Sequence, residues 1–341
     1  MKTKILYISS NTAIGGQEVV LKRLLQNLDK TRCQADVLIT HLRGSLHDEY
    51  EEHSDALFIY DNKPDSDLNA MIFQLIRENN YDIIHIFNLW IFYDIILRIK
   101  RVFPSVKIMV TLFVDLYFHQ DLFASSFHLM ERIQPHLWAL TTDSEINKKV
   151  FPDIMVIRNG IPLEKFKPAT KKPKTVAWIG RLTYGKRAHL IPYIAKNLPD
   201  YHFIIIGDKE TKEYNYIMER KPPNLEVRLA LTEDEVAKIL SEAQYFLFTS
   251  ASESMPLTVL EAMASGCCVI SEDVGDIPSV VRNGINGYLV PKDVLLVDWV
   301  SENLPLLDVE VSKNARQAVL SDFSLTQMVK KYEFLYGGAN G

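Results

Sequence analysis

Short apolar runs recur along the chain, and helical patterns fill several of the gaps between them. Runs of this length suit strands that are buried on both faces of a parallel sheet. Their alternation with helical segments favours a doubly wound α/β architecture. The predicted strands are residues 5–8, 37–39, 83–87, 108–110 and 137–140 in the first half, and 175–179, 203–206, 225–229, 245–248 and 268–270 in the second.

The chain has 341 residues, which is more than one hydrophobic core usually spans, so we expect two domains. A segment rich in Lys and Pro separates the two blocks of strands and is typical of a linker. The last apolar residues follow helical spacing. The predicted units are a first domain at 1–160, a linker at 161–173, a second domain at 174–320 and a final helical segment at 321–341.

Composition and charge exclude several classes of protein. A formal charge of -5 gives no overall attraction to nucleic acid. The three cysteines, Cys33, Cys267 and Cys268, indicate no disulfide framework and fit a reducing compartment. The N-terminal apolar run is too short for a signal peptide, and no run approaches the ~20 apolar residues of a membrane span. We therefore expect a cytoplasmic protein.

Residues 89–101 mix large apolar side chains with a basic end. One interpretation is peripheral contact with the inner face of a membrane. The other, which we favour, is a helix buried against the sheet.

The stretch from Phe246 to Gly266 reads FLFTSASESMPLTVLEAMASG and has the clearest chemical pattern. An apolar run passes through a polar loop into strong helix formers at 257–264, with Pro256 suited to the first helical position and Gly266 to the stop. Such a unit directs backbone N–H groups and the positive end of a helix dipole at an anion. The pattern predicts a phosphate-binding loop.

Two carboxylates flank this loop, Glu253 within it and Glu261 inside the helix. Carboxylates beside a phosphate accept hydrogen bonds from hydroxyls, so we expect a ribose next to Glu261 and a second sugar next to Glu253. The alternative is a helix cap and a solvated helix residue, which is the usual role of an isolated Glu.

The Glu253 to Glu261 spacing, the AMASG after it and the downstream CCVISEDVGDIPSVVRNGINGYLV resemble the family 4 retaining glycosyltransferases, the glycosyl transferases group 1. The run from Ile157 to Ile161 is similar to the Ile-x-Asn-Gly signature of that family. The resemblance implies the GT-B fold, in which two Rossmann-like doubly wound parallel-sheet domains face a central cleft. It also implies a final helix that packs back on the first domain.

Cations for the leaving diphosphate are present in GRLTYGKR. Arg181 follows a strand end and Lys186 lies in a glycine-containing turn, so both can reach the same phosphates. Both match the family pattern, whereas Arg187 matches it less closely. Ala230 stands where the family usually has Gly near the base. The donor-binding residues that the resemblance implies are Gly16, Gly180, Gly207, Leu229, Ser254, Met255, Pro256, Leu257 and Glu261.

The first domain departs from the family pattern at two aromatic positions. Phe87 and Phe113 stand where the family has histidines, and the second of those histidines lies by the transferred sugar. Asp115 is a candidate substitute for the lost polar contact. We assign His85, Phe113 and Asp115 to the acceptor side, although a core histidine is the more usual fate of a residue such as His85.

The function that the resemblance implies is retaining transfer of a sugar from a nucleotide-diphosphate sugar to a hydroxyl acceptor, in polysaccharide or glycoconjugate synthesis. Glu253, Arg181 and Lys186 are the predicted catalytic residues. The alternatives are a nucleotide-sugar epimerase of GT-B shape and a non-catalytic nucleotide-sugar-binding subunit. We expect no cofactor and no metal, and partners limited to the donor and an acceptor such as a lipid-linked glycan.

Overall fold

The computed structural model describes residues 2–60, 67–87, 93–113 and 132–337, and these form two units. The first unit contains the chain up to Arg158 together with the segment from Thr326 onward. The second unit runs from Asn159 to Leu325. Residues 161–173, which the sequence predicts as a linker, belong to the second unit.

The described part of the first unit is built on a parallel sheet in the order β3-β2-β1-β4-β5-β6-β7. Its strands are β1 (Thr3–Asn11), β2 (Cys33–Leu42), β3 (Ala56–Ile59), β4 (Ile83–Phe87), β5 (Lys107–Leu112), β6 (Ala139–Thr142) and β7 (Met155–Val156). Its helices are α1 (Gly16–Asn27), α2 (His47–His53), α3 (Leu68–Asn79), α4 (Tyr93–Val102) and, from the end of the chain, α12 (Leu325–Gly337).

The second unit has a parallel sheet in the order β10-β9-β8-β11-β12-β13. Its strands are β8 (Lys172–Ile179), β9 (His202–Gly207), β10 (Leu225–Leu229), β11 (Ala243–Phe248), β12 (Cys268–Glu272) and β13 (Tyr288–Val290). Its helices are α5 (Ile191–Asn197), α6 (Lys212–Arg220), α7 (Glu233–Glu242), α8 (Leu257–Ala264), α9 (Ile277–Val280), α10 (Leu296–Asn303) and α11 (Val311–Asp322).

Both strand orders are those of the doubly wound Rossmann fold, in which the order reverses beside the first strand. The predicted fold class is therefore confirmed for each unit. Ligands of such sheets bind beyond the carboxyl ends of the two strands at the reversal. In the first unit these are β1 and β4, and in the second they are β8 and β11.

The strand predicted at 137–140 is displaced toward the C-terminus. Pro135 lies in a 3₁₀ turn at Gln134–His136, and the N–H of Leu137 closes this turn, so the strand starts only at Ala139. It continues through two buried threonines, Thr141 and Thr142. Their hydroxyls bond to other side chains, which is how polar residues enter a buried strand.

Helix α4 lies within the segment for which two interpretations were open. Its side chains Ile95, Ile96 and Ile99 are buried in the core of the first unit. Residues 89–92 lie outside the described residues. Over the described ranges, no helix combines the length and the apolar character that crossing a bilayer requires.

His85 on β4, which the sequence analysis assigns to the acceptor side, is fully buried. Its Nδ1 lies 2.9 Å from the hydroxyl of Tyr336 on α12, and its Nε2 lies 2.7 Å from the hydroxyl of Thr111. Burial lowers the pKa of His85 to about 3, so the ring is neutral in the folded unit. This histidine therefore attaches the final helix to the sheet of the first unit.

We expect His85 to make the first unit less stable in acid. Its folded pKa is lowered, so its stabilising effect is complete above the unfolded value of ~6.5 and is lost at ~1.4 kcal/mol per pH unit as the pH falls below that. This slope is measured by urea unfolding between pH 7 and pH 5, with hydrogen exchange of peptides from the first unit as the readout. His85→Gln should be less stable at pH 7, and its stability should depend less steeply on pH. An unchanged dependence on pH would contradict a lowered pKa of His85.

Candidate functional site

The candidate site of the second unit lies where the strand order of its sheet reverses. Strands β8 and β11 are paired there, and their carboxyl ends lead into two loops. The first loop, residues 180–187, carries the predicted cations and is called the cation turn below. The second, residues 249–256, carries Glu253 and is called the carboxylate loop. The sequence predicts both loops, and the sheet brings them side by side.

Backbone and hydroxyl contacts hold the two loops together. The N–H of Ala251 donates to the carbonyl of Gly185 at 3.0 Å. The hydroxyl of Thr249 donates to the carbonyl of Lys186 at 2.7 Å and accepts from the indole N–H of Trp178 at 2.9 Å. Because Thr249 is fully buried, this chain of bonds fixes the start of the carboxylate loop to the sheet.

Two of the three predicted catalytic residues meet directly in this arrangement. Lys186 Nζ forms an ion pair and hydrogen bond with Glu253 Oε1. The two side chains keep 25% and 14% of their surface exposed, so both ends of the pair remain open to a ligand. Arg181 is exposed. The sequence predicts Lys186 on a phosphate and Glu253 on a sugar, and it does not reveal that they pair.

Helix α8 spans Leu257–Ala264, as predicted, and both of its ends are specified by the sequence. Pro256 is the N-cap and not the first helical residue, because its ψ of 121° is extended. Gly266, at φ +74°, closes the C-terminus. The N–H of Gly266 donates to the carbonyl of Met263 and that of Cys267 to Ala262, which is the Schellman pattern.

The first turn of α8 places backbone N–H groups beside the carboxylate loop. The N-cap residue, Pro256, makes no side-chain hydrogen bond to them, and N–H groups at a helix start favour an anion. Glu261 lies further along the helix with 7% of its surface exposed, and Ser254, Met255 and Leu257 are buried as well. The loop and helix start therefore form a rigid surface.

Asn159 and Gly275 support the carboxylate loop from outside it, and the sequence analysis did not assign either to the site. The Asn159 amide donates to the carbonyl of Met255 at 3.0 Å. Gly275 has φ +53°, and a Cβ there would collide with the carbonyl oxygen of Glu253. The next N–H, of Asp276, donates to the carbonyl of Ser254 at 3.1 Å. The Asn-Gly signature and the glycine of the downstream turn were the signals for these roles.

The remaining donor-side glycines of the second unit lie at the edge of the same sheet. Gly180 donates its N–H to Ile206 at 3.1 Å, and a Cβ at Gly207 would crowd Leu182 and Leu229. Ala230 follows at φ +53°, a left-handed conformation that favours glycine. This conformation gives a physical reason for the family preference for Gly at that position.

In the first unit, the predicted Gly16 begins α1, which follows β1 after the turn at residues 12–15. The carboxylate of Glu18, which the sequence analysis missed, accepts from Asn11 at 3.1 Å and from Gln17 at 2.7 Å. A Cβ at Gly15 would collide with this carboxylate. The glycine turn therefore makes room for a carboxylate of the same chain at the start of the helix.

The two aromatic departures in the first unit are in contact with each other. The rings of Phe87 and Phe113 stack with centroids 5.3 Å apart and planes 27° apart. Phe87 is buried and Phe113 is half-buried at the end of β5. Asp115 lies outside the described residues.

Two Rossmann-type units, one of them with a candidate anion-binding loop at its sheet reversal, are typical of a nucleotide-binding α/β protein of GT-B type. Known proteins agree with this class. The model of the glycosyl transferases group 1 matches residues 161–316, and that of glycosyltransferase family 4 matches residues 14–165. The chain belongs to the family 4 glycosyltransferases.

Among curated relatives, UDP-Gal:alpha-D-GlcNAc-diphosphoundecaprenol alpha-1,3-galactosyltransferase from Escherichia coli is 30% identical over 211 residues, covering 54% of each chain. N-acetyl-alpha-D-glucosaminyl L-malate synthase from Bacillus anthracis is 36% identical over 110 residues, covering 30% of this chain and 28% of the relative. The aligned part spans about half the length of the Escherichia coli relative.

Solved structures match over almost the whole chain. Anabaena HepE, in complex with UDP and glucose, has a TM-score of 0.79 at 18% identity, covering 98% of this chain and 100% of that one. Sucrose-phosphate synthase from Thermosynechococcus elongatus has a TM-score of 0.81 at 16% identity, covering 99% of each. These similarities show the GT-B fold.

We expect Gly275→Ala to displace the carboxylate loop. Alanine at a left-handed position costs ~1 kcal/mol, and the collision with the Glu253 carbonyl adds ~1 to 3 kcal/mol. Gly284→Ala is the matched control, because Gly284 has φ +70° but nothing within 4 Å of an added Cβ. Gly275→Ala should lower the thermal unfolding temperature and the affinity for UDP more than Gly284→Ala does. Equal effects in the two variants would remove Gly275 from the site.

Proposed function

We propose that the protein is a retaining glycosyltransferase that moves a sugar from a nucleotide-diphosphate donor to a hydroxyl acceptor. The observation that carries the proposal is the attachment of the cation turn to the carboxylate loop beside the start of α8. This arrangement supplies cations, backbone N–H groups and carboxylates at one edge of one sheet. A glycosyl diphosphate needs all three kinds of group.

Each group has a separate task in the proposal. Arg181, Lys186 and the N–H groups at the start of α8 stabilise the negative charge that grows on the diphosphate as the glycosyl bond breaks. Glu261 accepts hydrogen bonds from the ribose hydroxyls. Glu253 accepts hydrogen bonds from the sugar that is transferred, and so orients its anomeric carbon.

The ion pair between Lys186 and Glu253 lets each charge compensate the other. When the donor binds, Lys186 donates to the diphosphate and Glu253 accepts from the sugar hydroxyls. The bond between Lys186 and Glu253 is thus replaced by bonds from each of them to the ligand. Part of the donor's binding energy is spent on this exchange.

The proposed chemical step is a front-face substitution. The bond between the anomeric carbon and the diphosphate oxygen breaks, and the acceptor oxygen forms a bond to the same carbon on the same face. The acceptor proton passes to the leaving diphosphate oxygen. No protein nucleophile is formed or consumed, and no cofactor or metal takes part in this proposal.

The class of substrate is suggested by the relatives. The Escherichia coli relative is named for UDP-Gal and a diphosphoundecaprenol-linked sugar, and Anabaena HepE holds UDP and glucose. We therefore propose a UDP-hexose donor and a hydroxyl of a lipid-linked glycan as acceptor, with catalysis at the inner face of a membrane.

Product analysis tests the transferase proposal. Purified protein is incubated with UDP-glucose, UDP-galactose or UDP-N-acetylglucosamine and a lipid-diphosphate-linked GlcNAc, and products are identified by mass spectrometry and anomeric NMR. An α-linked product with release of UDP is expected. Conversion of one UDP-sugar into another without acceptor would support an epimerase, and specific binding without product would support a non-catalytic subunit.

Arg181→Ala and Lys186→Ala should each lower kcat about a hundredfold or more, because each removes a preorganised cation from the leaving diphosphate. Lys196→Ala, at an exposed position on α5, is the control for loss of a lysine charge and should keep wild-type turnover. Near-normal turnover of both site variants at saturating donor would contradict the leaving-group role.

Glu261→Ala should weaken binding of UDP about fivefold, since a lost hydrogen bond to a ligand hydroxyl is worth ~1 kcal/mol. Calorimetric titration with UDP and with 2′,3′-dideoxy-UDP separates ribose recognition from general damage. Wild type should prefer UDP, and the variant should bind the two ligands equally. Retained preference for UDP would remove Glu261 from the ribose site.

A further inference from the structure

Arg187, the residue after Lys186, has an unusual backbone conformation. Its φ of 54° and ψ of 33° are left-handed, which a residue with a Cβ adopts only at a conformational cost. Such conformations persist where surrounding contacts over-determine them, and they cluster at functional sites. The contacts of Arg187 therefore indicate what the conformation achieves.

The guanidinium of Arg187 faces the carboxylate loop and the strand beyond it. Its Nε donates to the carbonyl of Thr249 at 2.5 Å, and Nη2 lies 3.4 Å from the carbonyl of Ser250. The same Nη2 forms an ion pair with Glu272, the last residue of β12. One side chain thus joins the cation turn to the ends of β11 and β12.

These contacts complete the support of the carboxylate loop. Arg187 holds its first two residues, and Gly275 lies against Glu253 at its far end. Glu272 is three residues before Gly275, so the strand that Arg187 anchors is the one that leads to this second support. This set of bonds requires several N–H donors held in one plane, as in a guanidinium. The ammonium group of lysine does not provide them.

We propose that Arg187 is a positioning residue, which fixes Glu253 by bonding the carboxylate loop and Glu272 to the cation turn. The proposal rests on the proposed function for its kinetic consequences. The guanidinium is already engaged by Glu272 and by two carbonyls, so it acts on the transferred sugar through Glu253 and does not itself bind the diphosphate.

The test uses Arg187→Gly, which removes the guanidinium and relieves the left-handed backbone at the same time. Its thermal stability should stay near that of wild type, while kcat falls about tenfold or more because a displaced orienting group is costly for rate. Affinity for UDP should change less than threefold, on the order of RT, because the diphosphate contacts remain. Propylguanidine, which matches the lost side chain, should restore part of kcat when added to Arg187→Gly. The separate variant Arg187→Lys should have a lowered kcat as well.

Lys174→Gly is the matched control. Lys174 is also left-handed, at φ 57°, but it lies near the start of β8 with an exposed side chain. This variant relieves a similar conformation and should keep wild-type kcat. A loss of kcat in both variants would assign the effect to the backbone and overturn the proposal.

Two further outcomes would also overturn it. Wild-type kcat in Arg187→Gly excludes a positioning role, and a fall in UDP affinity that matches the fall in kcat makes Arg187 a donor-binding residue. Hydrogen exchange of residues 249–256 in the absence of ligand tests the support without any activity assay. Exchange should be faster in Arg187→Gly and unchanged in Lys174→Gly. The products of the wild-type protein test the transferase proposal separately, so failure of one proposal is distinguishable from failure of the other.

Discussion

The parallel pairing of β8 with β11 is the constraint on which the candidate site depends. These strands are neighbours in the sheet but are separated in the chain by two other strands, and the strand order reverses between them. Their carboxyl ends therefore project two loops that share one edge. The Gly185 to Ala251 bond and the Thr249 hydroxyl then hold these loops at a fixed spacing.

Charge compensation follows from that spacing. Lys186 and Glu253 are far apart in sequence, and their pairing exists only because their loops are bonded together. An internal ion pair avoids leaving either half-buried charge unpaired. The same principle applies to Arg187 and Glu272, whose ion pair is also half-buried and joins the cation turn to the end of β12.

Local signals allowed much of the second unit to be predicted from sequence. Helix α8 was predicted to the residue because Pro256 and Gly266 specify its ends, and the bounds of β10 were predicted as well. The strand at Ala139–Thr142 was misplaced because hydropathy does not detect buried threonines whose hydroxyls bond to other side chains. The contact of His85 with Tyr336 was not predicted for a related reason, since the two residues lie 251 positions apart. Supports such as Gly275 and Arg187 depend on contacts across strands, which spacing alone does not reveal.

The location of the diphosphate site is the central claim, and hydrogen exchange with and without UDP tests it most directly. If the start of α8 binds the diphosphate, UDP should slow exchange of the N–H groups at residues 254–259 and in the cation turn at 180–187. Peptides of β13 and α10 should exchange at unchanged rates. Protection confined to other parts of the second unit, or no change at 254–259 at saturating UDP, would contradict a diphosphate site at this sheet reversal.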